Sequence, residues 1–247
     1  MSKWSKIFNK KESTFVQSGT KAIEHSLKLL DSKYVALPSY TCERVLKGIL
    51  DAGCKPQIVD CGKDLQIDLE SLSKIKNGFD TVIVPHMFGI KVDIKPIRDM
   101  GFNIIEDCSQ CLGLEGLGEY SDYVVVSVGS TKWLPVGGGG YVIGHNTKSI
   151  SSGISKWTLG RYFSKAEKLV NAIPLILQKR TELSKELLNA GIDLIGKDRE
   201  NAWMRGMYFT ENQKRKPYTP IHELYGDFKC PMVDSFKNKL DWVSIFG

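Results

Sequence analysis

The chain has 247 residues, 42% of them hydrophobic and 25% charged, with 34 basic and 28 acidic side chains for a net charge of +6. That is the make-up of a globular protein with room for one sizeable core, and it excludes a disordered or collagen-like chain. No apolar run is long enough to span a bilayer, and the basic start Met1–Lys6 has no apolar stretch behind it, so neither a membrane span nor a secretory signal is expected and the cytoplasm is the default.

In chain order, helical periodicity first appears at Ala22, Ile23, Ser26, Leu27 and Leu30, followed by a strand at Tyr34–Leu37. A helix over about 41–52, a strand at Pro56–Val59, a helix at Leu69–Ile75 and a strand at Thr81–Val84 come next. Then follow a helix near Ile94–Met100 and three strands, Asn103–Ile105, Tyr123–Val126 and Tyr141–Ile143. Strands alternating with helices predict a mostly parallel sheet covered on both faces, with ligands at the carboxyl ends of the strands. From 161 to 190 the pattern is helical, with Leu169, Ile173, Leu177, Leu183 and Leu187 apolar. The remainder, including Pro217-Tyr218-Thr219-Pro220 and Cys230-Pro231, reads as loop-rich. The expected division is a large domain over 1–150 and a helical, loop-rich part over 151–247.

Charge divides the same way. Residues 1–145 carry 17 basic and 17 acidic side chains and residues 146–247 carry 17 and 11, so the whole excess lies in the second part. Such a surface attracts an anionic substrate such as a nucleotide diphosphate, or is a lysine-rich solvated helical face. No basic motif interleaved with aromatics points to nucleic acid.

Lys132 carries the most chemistry. It lies in Ser127-Val128-Gly129-Ser130-Thr131-Lys132, between an apolar strand and Gly137–Gly140. An amine so placed can condense with a carbonyl, unless it is an ordinary exposed loop lysine. Asp107 ends another apolar run, where it is either a solvated turn residue or a partner for a pyridine nitrogen. An amine for a Schiff base and a carboxylate for a ring nitrogen are what pyridoxal phosphate (PLP) requires of a protein. Ser18-Gly19-Thr20 opens the first helix, either as a commonplace N-cap or as a phosphate cradle. Gln110, three residues after Asp107, can reach the ring. The glycine tract is neither a P-loop nor a dinucleotide fingerprint, and is expected to permit close backbone packing or positive φ. Cys108 and Cys111 have the spacing of a redox motif, but read as small buried residues at the sheet end. Without a signal peptide the six cysteines are expected as free thiols, and no metal site is expected.

These segments resemble the DegT/DnrJ/EryC1/StrS family of PLP-dependent sugar aminotransferases. The resemblance rests on Ser18-Gly19-Thr20-Lys21-Ala22, Leu37-Pro38-Ser39-Tyr40-Thr41, Val84-Pro85-His86-Met87-Phe88-Gly89, Glu106-Asp107-Cys108-Ser109-Gln110, Thr131-Lys132 and Gly138-Gly139-Gly140, in order from about residue 13 to 146. It implies an α/β fold, the type I PLP-transferase three-layer sandwich, here with a reduced C-terminal domain. It further implies that Lys132 forms the Schiff base, Asp107 pairs with the pyridine nitrogen, Gln110 sits at the ring, and Gly19, Thr20 and Ser127 hold the phosphate. The implied reaction moves an amino group, usually from glutamate, to a keto group of a nucleotide-linked sugar in a homodimer. Where members often carry an aromatic that stacks on the cofactor, this chain has Cys42. The alternative is a relative that binds PLP or a ligand without turnover.

Overall fold

The computed structural model describes residues 2–151, 155–214, 219–225 and 228–245. Pro217-Tyr218, assigned above to a loop, lies outside the described residues. The chain begins with α1 (Lys3–Ile7), β1 (Glu12–Val16) and α2 (Gly19–Leu29). It continues through β2 (Tyr34–Pro38), α3 (Glu43–Asp51), β3 (Lys55–Val59), α4 (Leu69–Ile75), β4 (Thr81–Pro85) and α5 (Lys95–Asp99). Next come β5 (Asn103–Asp107), β6 (Tyr123–Ser127) and β7 (Gly140–Gly144), then α6 (Lys156–Leu169) and α7 (Ile173–Asn189). The last described elements are β8 (Arg205–Phe209), α8 (Ile221–Tyr225), α9 (Pro231–Phe236) and β9 (Leu240–Ser244).

Seven strands form one sheet in the order β1-β7-β6-β5-β4-β2-β3. All run parallel except β7, which is antiparallel to both of its neighbours. Because strand side chains alternate between faces, each apolar strand feeds two cores. Ile83, Ile105 and Val125 pack with Ile23 and Leu27 of α2 and Val45 and Ile49 of α3. Val82, Val84 and Ile104 face the other way, onto Leu72 of α4 and Ile97 of α5. Farther along that second face, Val124, Val126 and Ile143 meet Trp4 of α1, Phe8 just after it, and Ala166, Val170 and Ile173. Helix, sheet and helix make three layers.

β1 and α1 escape the sequence reading. β1 is a five-residue edge strand whose burial pattern has no clean alternation, and it is held through its register with β7 (Glu12 opposite Gly144, Val16 opposite Gly140). β8 and β9 escape it too, pairing across about thirty residues as a separate two-stranded sheet. The helical stretch after 160 is broken at Val170–Ala172 by a 3-10 turn just before Pro174. The C-terminal segment packs on the main sheet's core through Met207, Ile221, Val233 and Phe236. Asp60, buried at the end of β3, fastens it by accepting N–H bonds from Met232 (2.8 Å) and Val233 (3.2 Å) at the start of α9. No described helix is long and apolar enough to cross a membrane.

Candidate active site

The topology brings the carboxyl ends of β1, β5 and β6 and the first residue of β7 to one edge of the sheet. Ser18 caps α2, its hydroxyl accepting the Lys21 N–H at 3.2 Å. The first turn of a helix leaves N–H groups without intrahelical partners, which is the usual basis of anion binding there. Gly19 packs so closely on β6 that a Cβ there would lie 2.7 Å from Cβ of Ser127. Gly140 is equally tight, a Cβ there meeting the Gly19 nitrogen at 2.8 Å. The seam between α2 and the β6–β7 pair therefore excludes side chains on both sides.

Five of the six residues singled out in the sequence, Gly19, Thr20, Asp107, Ser127 and Lys132, line one cavity of ≈ 680 Å³. Its size suits a small-molecule site. Asp107 accepts the Ser109 N–H at Oδ1 (2.9 Å), which leaves Oδ2 for a ligand. Ser109 is the residue the sequence reading passed over: it also lines the cavity, and its hydroxyl accepts the Ser127 N–H at 2.8 Å. One side chain so ties the ends of β5 and β6 together; a serine after an acidic pair gives no such signal by itself. Lys132 is half-buried, and among the described residues its ammonium has no ion-pair partner. Its loop is tied by Lys132 N–H to the Gly129 carbonyl (3.1 Å) and, through Trp133 Nε1–H, to the Ala202 carbonyl (3.0 Å).

Gln110 stands apart from the cavity lining. Its Oε1 accepts the Phe88 N–H at 2.9 Å and its amide lies 3.6 Å from Met87 Sδ, so it braces the 86–89 turn. The glycine tract provides close packing and positive φ together: Gly139 has φ +98°, and a Cβ there would overlap the Phe15 ring. Cys108 and Cys111 are free, fully buried thiols that burial pushes well above the ordinary range, which holds them protonated and unreactive.

His86, Glu106 and Cys108 lie together behind the site with ligand atoms within 4.8 Å of one another. Their hydrogen bonds are already assigned. His86 Nδ1 accepts the Val92 N–H (3.0 Å), so the ring proton is on Nε2 and is donated to Glu106 Oε1 (2.8 Å). Glu106 Oε2 accepts the Gly118 N–H at 2.8 Å. This is a satisfied buried network linking β4, β5 and the 116–118 turn.

The model of the DegT/DnrJ/EryC1/StrS aminotransferase family matches residues 3–154, well over half of the chain. The chain belongs to this family. No curated protein matches the sequence. Among solved structures, DesV of S. venezuelae in complex with a ketimine intermediate aligns at TM-score 0.83 and 17% identity, over 99% of this chain and 82% of that one. Spr1654 of Streptococcus pneumoniae, assigned as a sugar aminotransferase and solved in a PLP form, aligns at 0.81 and 15%, over 98% and 84%. GDP-4-keto-6-deoxymannose-3-dehydratase with bound GDP-perosamine aligns at 0.70 and 13%, over 83% and 69%. The fold is that of the type I PLP transferases, and this DegT/DnrJ/EryC1/StrS chain is a PLP-dependent enzyme.

The residues present fit that cofactor. The side-chain-free seam at Gly19 and Gly140 leaves the start of α2 as a cradle for a phosphate, Asp107 offers one carboxylate oxygen, and Lys132 offers an amine tied to no carboxylate among the described residues.

Proposed function

We propose that the enzyme transfers an amino group from glutamate to a keto group of a nucleotide-linked sugar, with Lys132 as the amine that engages the cofactor. The observation that carries the reading is the convergence of Lys132, Asp107 and the start of α2 in one cavity. Membership of an aminotransferase family and the excess positive charge after residue 145 support the amino transfer and the anionic substrate respectively.

When bound, PLP supplies a carbonyl that takes up the amino group and a ring that accepts electrons. Gly19 and Thr20 hold its phosphate through α2 N–H groups, with Ser127 adding a hydroxyl. Asp107, its carboxylate oriented by the Ser109 N–H on Oδ1, would keep the ring nitrogen protonated. Lys132 would be the base that removes the proton from the substrate carbon carrying the amino group and the acid that gives that proton back. Among the described residues no carboxylate pairs with the Lys132 amine, which suits that role. The working form is taken to be a homodimer, which light scattering of the purified protein checks, and its location the cytoplasm, which cell fractionation checks.

The test is the visible spectrum of the protein with PLP, followed by borohydride reduction and peptide mapping. Pyridoxyl fixed on Lys132, together with loss of glutamate-dependent turnover by about 10³-fold or more in Lys132→Ala, is expected. A colourless protein with no label on Lys132 overturns the reading. A screen of keto-sugar nucleotides with glutamate then identifies the acceptor.

A further inference from the structure

A second cavity, of ≈ 500 Å³, adjoins the first. Both are lined by Cys42, Arg44 and Lys132, so they form one space pinched at those three side chains. Thr131, Thr219 and Leu224 line only the outer compartment. The outer compartment therefore borders Lys132 yet holds none of the phosphate cradle. A substrate that must reach Lys132 while the inner compartment is filled has this space to occupy.

The charges around the pinch are unequally committed. Lys21 is paired with Glu24, and Lys47 with both oxygens of Asp51 at 2.7 and 3.0 Å. Arg44, in the first turn of α3, meets a carboxylate only through Nε, 3.8 Å from Glu43, and its side chain is 65% exposed. Among the described residues, both of its terminal nitrogens are left for a ligand. A guanidinium presents those two N–H groups as a fork that matches a carboxylate or phosphate, which a lysine cannot do. Glu43 is the one carboxylate among the described residues lining the outer compartment, so an anion there meets little opposing charge.

We propose that Arg44 is the residue that reads the substrate's oxyanion in the outer compartment. This rests on the aminotransferase reading above. Two sources share the chemistry: the carboxylate of the amino donor and the diphosphate of the nucleotide-linked acceptor.

The experiment uses Arg44→Ala in the full chain, loaded with PLP. Borohydride labelling of Lys132 is expected at the wild-type extent, since Arg44 is exposed and outside the phosphate cradle. The dissociation constants for L-glutamate, from the half-reaction followed by absorbance, and for UDP, dTDP and GDP, from titration, are compared with wild type. A rise of about tenfold or more confined to glutamate assigns the carboxylate, and one confined to the nucleotides assigns the diphosphate. Normal labelling with every constant unchanged overturns the inference and leaves the function reading standing. Absence of label in the wild type overturns the function reading itself.

Discussion

The Arg180 guanidinium of α7 lies over the Trp133 ring, 4.8 Å from its centroid, and its Nη2 donates to the Trp133 carbonyl at 3.4 Å. Trp133 directly follows Lys132, so a helix beyond the main sheet steadies the loop that carries the amine. Burial lowers the Arg180 guanidinium to about 10, the mark of a cation held for its contacts rather than its hydration. Arg180→Ala is expected to lower stability by about 1–3 kcal/mol through the lost cation–π contact and the carbonyl left without its donor. It is also expected to slow pyridoxyl labelling of Lys132. Arg180→Lys should restore little, because an ammonium cannot both stack and donate in that plane. Labelling at the wild-type rate in Arg180→Ala would show that the loop holds itself.

The Gly19 seam gives a second prediction. A methyl group at this position must push α2 away from Ser127, since its Cβ would start 2.7 Å from the serine Cβ. Gly19→Ala is expected to cost about 1–3 kcal/mol in overpacking and to weaken PLP retention more than it weakens folding. Dialysis of the loaded protein against buffer, with the residual absorbance as readout, measures that directly. Retention equal to wild type would mean that the cradle tolerates the shift.

Local patterns in the sequence were enough to locate every strand from β2 to β7 within a residue or two, because buried parallel strands are continuous apolar runs separated by turns. Lys132 and Asp107 were legible for the same reason: each follows such a run, and strand ends converge in this topology. Ser109 was not legible, since its role depends on β5 and β6 being neighbours, which no local pattern states. Gln110 was read as a ring contact from its spacing after Asp107 and from the family resemblance; in the structure its Oε1 accepts the Phe88 N–H on the adjacent turn. β8 and β9 depend on a pairing across about thirty residues. Arg44 stands on an exposed helical face, where an arginine is ordinary until two cavities are found to share it.

Asp60 joins the end of β3 to the start of α9. Its carboxylate is 5% exposed and accepts N–H bonds from Cys61, Met232 and Val233. Asp60→Ala leaves the start of α9 without its acceptors and is expected to cost about 2–4 kcal/mol, from the loss of charge-assisted bonds to buried N–H groups. Because Thr219 and Leu224, close before α9, line the outer compartment, the change should also weaken substrate binding while pyridoxyl labelling of Lys132 persists. Limited proteolysis should cut the variant after residue 200 first. Loss of labelling in step with loss of the C-terminal segment would instead make the whole chain one cooperative unit.

The buried thiols are expected to make the fold less stable at alkaline pH. Cys54, Cys61, Cys108, Cys111 and Cys230 are buried and Cys42 is half-buried at the cavity. Burial pushes Cys61 up to about 12 and Cys230 up to about 11, and raises Cys54, Cys108 and Cys111 as well. An unfolded thiol releases its proton near pH ~8.5, while these folded ones keep theirs, so above that pH the folded state binds more protons than the unfolded state. Stability must then fall as pH rises, until the folded thiols themselves ionise. Urea midpoints measured from pH ~8 to ~10 should decline steadily, and a variant with Cys61→Ala and Cys230→Ala should decline less steeply. In the native protein one thiol, Cys42, should react quickly with an alkylating reagent, and bound PLP should slow it because that side chain lines the same cavity as Lys132. Fast reaction of several thiols, or midpoints that hold level across this range, would show that the buried cysteines are reached by water.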